Sequence, residues 1–447
     1  MNVEFHRLFD KISIRNLNLS GFLFVQALDV IIAEINFYCI KTNHTDFDFY
    51  YRICIIENLF VFLRPKQRIM ENPFCITGII PEPYFCDRGK ETKWFVSTLE
   101  NKAHILLTSP RRMGKTQLIR HVYEQPSIKN NYYTFYTDIY PTTSLHELVL
   151  FLGKEIYSVL VPKGKTVIDK FLAGLHSLAG SIGYDPTSGL PTFDIKLGDI
   201  HTPELTLEEI FRYLEQADKP CIFAIDEFQQ IAQYPEKNVE ALLRAHIQKM
   251  NNCLFIYAGS NRHILENMFN SAAKPFYNSA EQLYLDCIPK DVYTAFANEQ
   301  FSKAGRKIQP EAASHAYDLF EGHTYYVHNV LHNAFAYLDP DKVVDESGIN
   351  KTLSDILEEK GRTFASVMNQ LNYQQKETLV AIAKEGKACG VTSARFVKKH
   401  ALKSPSSVQY AISTLLEKQL LTYQNEERTK IYSVSDRFMQ MWICRMY

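Results

Sequence analysis

The stretch "ILLTSPRRMGKTQLI", Ile105–Ile119, decides how the rest of the chain is read. An apolar run stops at Thr108 and Ser109, passes through Pro110 and two arginines, and reaches Gly114-Lys115-Thr116 before an amphipathic segment begins. Leu118, Ile119 and Val122 fall on one face of that segment, so the sequence reads as strand, loop, helix. The pattern GxxxxGK(S/T) holds a phosphate because backbone amides wrap the oxygens, the lysine reaches the terminal groups and the hydroxyl ligates magnesium at a helix start. Those nucleotide-binding roles fall to Ser109, Pro110, Arg111, Arg112, Met113 and Gly114, then Lys115 and Thr116, with Gln117 next on the helix. Ser109 stands where the first glycine belongs. The competing reading is a basic turn with Arg111 and Arg112 solvated.

A phosphate loop needs a carboxylate from a neighbouring strand to hold the metal and a group to orient water. "CIFAIDEF", Cys221–Phe228, supplies both: five apolar residues and then Asp226 and Glu227 at the strand's C-terminal end, where open parallel sheets bind ligands. Asp226 is expected, with Thr116, at the magnesium, and Glu227 at the attacking water. A strand ended by helix-capping acids is the plainer alternative. "CLFIYAGSNR", Cys253–Arg262, ends in Ser260, Asn261 and Arg262, and Ser260 and Arg262 join Glu227 and Lys115 as candidate catalytic groups.

Strand-like runs at 103–108, 132–139, 221–226, 253–259 and 282–286 alternate with helical patterns, which predicts a parallel sheet covered by helices. An insertion between the second and third runs carries Gly and Pro turn signals and the alternation Phe193, Ile195, Leu197, which predicts a small hairpin. The chain has 447 residues, enough for two or three domains, and its net charge of -1 points to no polyanionic partner. Nine cysteines form no CxxC pair, so neither a zinc site nor a disulfide framework is expected, and a reducing cytoplasm fits.

Residues 1–69 hold a single Gly and a single Pro, unlike the rest of the chain. They read either as a helical extension or as an over-extended start with Met70 as initiator, and composition favours the second. Phe22–Ile40 is the one candidate membrane segment in the sequence, but Asp29, Glu34 and Asn36 make it a poor span, and it does not read as a signal peptide. No membrane partner is expected.

From Leu371 the pattern is three short helices and then two strands around a polar tip, a winged helix-turn-helix. Ser404 and Pro405 open the third helix, with Val408, Ala411, Ile412, Leu415 and Leu416 as its buried stripe. Residues 371–447 hold twelve Lys or Arg against six Asp or Glu, which favours contact with phosphates of duplex DNA. The exposed side offers Ser406, Gln409, Ser413 and Thr414, which read base edges poorly. A protein contact, or a clamp on the nucleotide domain, stands beside DNA binding.

On "FCDRGKE", "SPRRMGKT", "FAIDEFQ", "AGSNRHILENMF", "KPFYNSAEQLYL" and "EGHTYYVHNV" the sequence from Met70 onward resembles the AAA+-related P-loop ATPases of the additional-strand (ASCE) division, archaeal-ATPase-like and STAND-type. The resemblance implies an α/β fold with a three-layer P-loop NTPase sheet, at residues 70–288, a helical lid at 289–365 and a winged helix at 366–447. It implies ATP and Mg2+ as cofactors, Phe85 and Arg88 near the adenine, and Gly322–Tyr326 opening the lid helix. Besides Ser109, the sequence departs at Asn278-Ser279, where relatives often carry Gly-Arg, and at Thr324, where Pro is usual. The expected function is a cytoplasmic ATP-hydrolysing regulatory protein whose nucleotide state reaches a DNA-binding winged helix. The alternative is a slow or non-hydrolysing nucleotide switch whose winged helix meets protein partners or a second copy of the chain.

Overall fold

A computed structural model describes residues 72–178, 183–184, 191–192, 199–339, 341–426 and 429–447. The segment before residue 72, with Phe22–Ile40, and the alternation at Phe193, Ile195 and Leu197 lie outside these residues. Among the described residues no helix is long and apolar enough to cross a membrane.

The strands are β1 Ile105–Thr108, β2 Tyr133–Asp138, β3 Gly183–Tyr184, β4 Pro191–Thr192, β5 Cys221–Asp226, β6 Cys253–Gly259 and β7 Glu281–Tyr284. β3 and β4 pair antiparallel as a minimal hairpin in the insertion. The other five form one parallel sheet in the order β2-β5-β6-β1-β7; β5 and β6 have the expected edges, and β1, β2 and β7 depart from theirs by one or two residues. Placing β5 and β6 between β1 and β2 sets three loops side by side at the C-terminal edge: those after β1, β6 and β5.

Helices α1 Gly89–Glu100, α2 Lys115–Glu124, α3 Leu145–Leu160, α4 Lys165–Gly174, α5 Pro203–Gln216, α6 Val239–Ile247 and α7 Arg262–Asn270 flank the sheet. Strand side chains alternate between faces, and the core follows that rule. Ile222, Ala224, Leu254, Ile256 and Ala258 pack with Phe95 of α1 and with Leu118, Ile119 and Val122 of α2. Phe223, Ile225, Phe255 and Tyr257 pack on the other face with Leu148 and Leu152 of α3 and Leu207 and Ile210 of α5. Strands buried on both faces read as unbroken apolar runs, which is why β5 and β6 were visible in the sequence.

Four helices come next: α8 Lys290–Lys303, α9 Pro310–Leu319, α10 Thr324–Tyr337 and α11 Glu346–Asn369. Beyond them α12 Tyr373–Glu385, α13 Ala394–Lys399 and α14 Pro405–Glu417 precede β9 Leu421–Glu426 and β10 Thr429–Val434, which form a three-stranded sheet with the short β8, Ala388–Cys389. Asn372 and Ser404 close capping boxes with Gln375 and Ser407, which fixes where α12 and α14 begin. Val408, Ala411, Ile412 and Leu415 are buried as expected, while Leu416 is partly buried.

A final helix, α15 Arg437–Met446, was not expected from the sequence. Its Trp442 packs 5.9 Å from Phe364 of α11, and one apolar cluster runs through the four-helix and winged-helix regions. The division at residue 365 remains a proposal: α11 passes through it without a break.

Candidate functional site

The loop after β1 leaves the sheet beside β6, because the Ser109 amide donates to the Gly259 carbonyl at 3.3 Å. Arg112 and Gly114 both take left-handed backbone, at φ 69° and 89°. Gly114 adopts this without a Cβ penalty. Arg112 is held there by its carbonyl, which accepts from the Tyr325 amide at 3.2 Å, and by its guanidinium, 4.9 Å from the Tyr325 ring and 5.1 Å from that of Tyr326.

Helix α2 then delivers Lys115 and Thr116. Lys115, 8% exposed, sets its Nζ 2.8 Å from Asp226 Oδ1 and 3.4 Å from Glu227 Oε1. The Thr116 hydroxyl donates to Asp226 Oδ2 at 3.1 Å, and Tyr136 donates to the same oxygen at 2.6 Å. Burial works to raise the Asp226 carboxyl, but the Lys115 ammonium and the hydrogen bonds from Lys115, Tyr136 and the Glu227 amide outweigh it and hold the group below the usual range. Asp138 moves the other way: burial raises it, and the charges on Asp226 and Glu227 add to the shift.

Glu227 is a non-glycine residue at φ 54°, a conformation that persists only where neighbours impose it. Its Oε2 accepts from the Ser260 hydroxyl at 2.8 Å and from Gln229 Nε2. Gly259 makes room for this arrangement, since a Cβ there would lie 2.1 Å from Gln229 Oε1. These groups open onto a cavity of about 580 Å³, within the range of small-molecule sites. Its lining includes Pro110 to Gln117, Asp138, Asp226 and Glu227, the preceding segment with Phe85 and Arg88, and Thr324, Tyr325 and His328 of α10.

The donor set fits a magnesium nucleotide. Magnesium takes hard oxygens and is usually bound through one or two carboxylates plus substrate phosphates. Thr116 Oγ1 and Asp226 supply such oxygens on adjacent elements. Among the described residues no group of three or more His, Cys, Asp or Glu could hold a metal unaided.

Of the expected site residues, the cavity brings together Phe85, Arg88, Pro110, Arg111, Arg112, Met113, Gly114, Lys115, Thr116, Gln117, Asp226 and Glu227. Ser109 is buried behind the loop, and Ser260 reaches the site through Glu227. Arg262 is not brought there: its Nε pairs with Glu266 at 2.6 Å and its guanidinium lies 4.6 Å from the Tyr284 ring. As the first residue of α7 it pairs with the acid four positions on, the geometry a helix favours. Phe85 stacks on His121 at 4.0 Å, and Arg88 ties Glu91 to the Asp286 carbonyl.

Sequence reasoning missed Tyr136 and Asp138, although β2 pairs Asp138 with Asp226 and both strands end in an acid. It also missed two residues of the winged helix. Gln419 accepts from Arg111 Nη1 at 2.8 Å, and Asp436 accepts from Arg112 Nη1 at 2.7 Å. No local pattern marks them, because each precedes or caps an ordinary element.

Residues 85–330 match the family described as an ATPase domain predominantly from Archaea, and residues 362–445 match a probable winged helix domain. The chain belongs to that ATPase family and carries a winged-helix region after it. No curated protein matches the sequence. Among solved structures it is similar to a Walker-type ATPase of Pyrococcus abyssi, with TM-score 0.57 and 17% identity over 83% of this chain and 99% of that one. The ORC2 protein of Aeropyrum pernix, in ADPNP–ADP complexes, gives TM-score 0.49 and 13% identity over 84% and 97%. The RuvB Holliday junction branch migration motor of Thermotoga maritima gives 0.41 and 14% over 78% and 93%. At these identities the first likeness speaks to the fold alone: a P-loop ATPase sheet followed by helices and a winged helix.

Proposed function

We propose that this chain binds ATP with Mg2+, hydrolyses it, and passes its nucleotide state to the winged helix. The single observation that carries the reading is the convergence of Lys115, Thr116, Asp226 and Glu227 on one cavity. The loop amides around Gly114 and the N-terminus of α2 bind the phosphates, and Lys115 exchanges its carboxylate partners for phosphate oxygens. Thr116 and Asp226 would hold magnesium, which would supply charge neutralisation on the phosphates. Glu227, fixed by Ser260 and Gln229, orients the water that attacks the γ-phosphorus and accepts its proton as the bond to ADP breaks.

The winged helix is coupled because Arg111 and Arg112, within the loop that cradles phosphate, also hold Gln419 and Asp436. A nucleotide that draws either guanidinium toward its phosphates weakens those contacts. The same observation favours a second reading, a slow switch whose winged helix clamps the nucleotide domain and meets a protein partner or a second copy of the chain. Duplex DNA is the partner in the first reading.

Glu227→Gln tests the mechanism. It keeps the shape of the side chain and removes the base, so ATP binding is retained and steady-state turnover falls by about 100-fold or more. Unchanged turnover in this variant removes Glu227 from the reaction.

A further inference from the structure

The cavity is not uniform in chemistry. Its lining combines phosphate-loop residues and acids with the apolar Ile76, Ile80, Phe85, Cys86 and Ile288 and with residues of α10. Two polar atoms of α10 stand out there. His328 Nε2 and Thr324 Oγ1 are buried and have no hydrogen-bond partner among the described residues, and both residues line the cavity. Spaced four apart on one helix, they share a face. Buried polar groups are nearly always paired, so two orphans beside a cavity point to a ligand.

We propose that His328 and Thr324 recognise the edge of an adenine base, His328 Nε2–H donating to a ring nitrogen and Thr324 Oγ1 accepting from the exocyclic amine. The inference rests on the nucleotide-site reading and deepens it by naming the residues that select the base.

The direction of the first bond is set by the other side of the ring. His328 Nδ1 lies 2.8 Å from the Tyr293 hydroxyl, and both groups are buried. A phenol is the better donor and an imidazole nitrogen the better acceptor, so Tyr293 donates to Nδ1 and the proton sits on Nε2. Burial, with His332 adding to it, pushes the His328 imidazole down to about 4, so the ring is neutral near pH 7. The ring is fixed in place by Phe74, edge-on at 5.4 Å, and Phe296, stacked at 6.3 Å.

One donor and one acceptor match the ring nitrogen and amine on the Watson–Crick edge of adenine. The corresponding edge of guanine carries three hydrogen-bonding groups, and the apolar surroundings leave one of them unpaired. An unpaired buried group is costly enough to discriminate between the two bases.

Binding of ATP, GTP and inorganic tripolyphosphate, each with Mg2+, is measured on the full chain, His328→Phe and Thr324→Val. The phenyl ring keeps the aromatic packing and lacks Nε2; the valine keeps the shape and lacks the hydroxyl. Wild type is expected to prefer ATP over GTP by about tenfold or more, and each variant to lose about tenfold in ATP affinity while tripolyphosphate binding is unchanged. ATP affinity held within about twofold in both variants overturns the inference, as does equal binding of ATP and GTP by wild type. Parallel loss of ATP and tripolyphosphate in both variants shows a structural effect and overturns it too. Should His328→Phe fail to fold, Thr324→Val carries the test alone. Tripolyphosphate bound by wild type with no preference for ATP separates failure of this inference from failure of the site, in which wild type binds neither.

Discussion

Lys115 does two jobs that pull on one another. Its ammonium lies 2.8 Å from Asp226, a carboxylate only 3% exposed, and so stabilises the fold, while the proposed mechanism asks the same ammonium to bind phosphate. Removing one member of a buried pair strands the other, so Lys115→Met is expected to destabilise the nucleotide-free protein by about 3–5 kcal/mol at pH 7. The sign of the pH dependence comes from Asp226, whose folded-state carboxyl is depressed. Its stabilising contribution is present above the ordinary carboxylate value near 3.8 and is lost as pH falls through the folded one. The gap between wild type and variant therefore narrows only as pH falls below the ordinary value near 3.8, and denaturant melts at pH 7 and at about pH 3 or below check it. A gap that widens toward acid contradicts the pairing. At this scale the sequence was legible where residue type and spacing follow the phosphate-loop pattern, as at Gly114, Lys115, Thr116 and Asp226, which meet at one cavity. It was silent at Gln419 and Asp436, which reach the site only through tertiary packing, and it misdirected Arg262, because an acid four residues away on the same helix competes for its guanidinium.

Among the elements, the winged helix separates the two functional readings. Its third helix, α14, exposes Ser406, Gln409, Ser413 and the large Tyr410, a surface with little capacity to read bases, within a region of basic excess, residues 371–447. If the region contacts duplex DNA it does so through phosphates, and phosphate contacts release counterions. The DNA reading therefore predicts binding in a shift assay that weakens steeply between about 50 and 200 mM salt and depends little on sequence. No binding at low salt leaves the protein-partner reading. The fold was most readable in β5 and β6 of the parallel sheet, buried on both faces, and in α14 of the winged helix, opened by Ser404 with Pro405. The unexpected α15 has a strong apolar stripe, Phe438, Met439, Trp442 and Ile443, but lies where a winged helix is already complete.

Across the whole molecule the phosphate loop is the meeting point of sheet, helical lid and winged helix. Arg112 alone contacts Tyr325 and Tyr326 of α10 and Asp436 at the start of α15. The Arg112–Asp436 pair is partly exposed, 40% and 28% at the two side chains, so by itself it contributes about 1 kcal/mol or less. A contact that weak, joined to the Arg111–Gln419 bond, can be traded for phosphate contacts of similar strength. Hydrogen exchange is expected to show amides around Gln419 and Asp436 losing protection when Mg·ATP is added, with tripolyphosphate acting in the same direction. Protection that is identical with and without nucleotide sinks the coupling while leaving the site itself intact.

Calorimetric titration of Mg·ATP into wild type and Lys115→Ala tests the central claim most directly. The account predicts saturable binding of one nucleotide per chain by wild type and its loss in the variant. Absence of binding to wild type, or equal affinity in the two proteins, contradicts it.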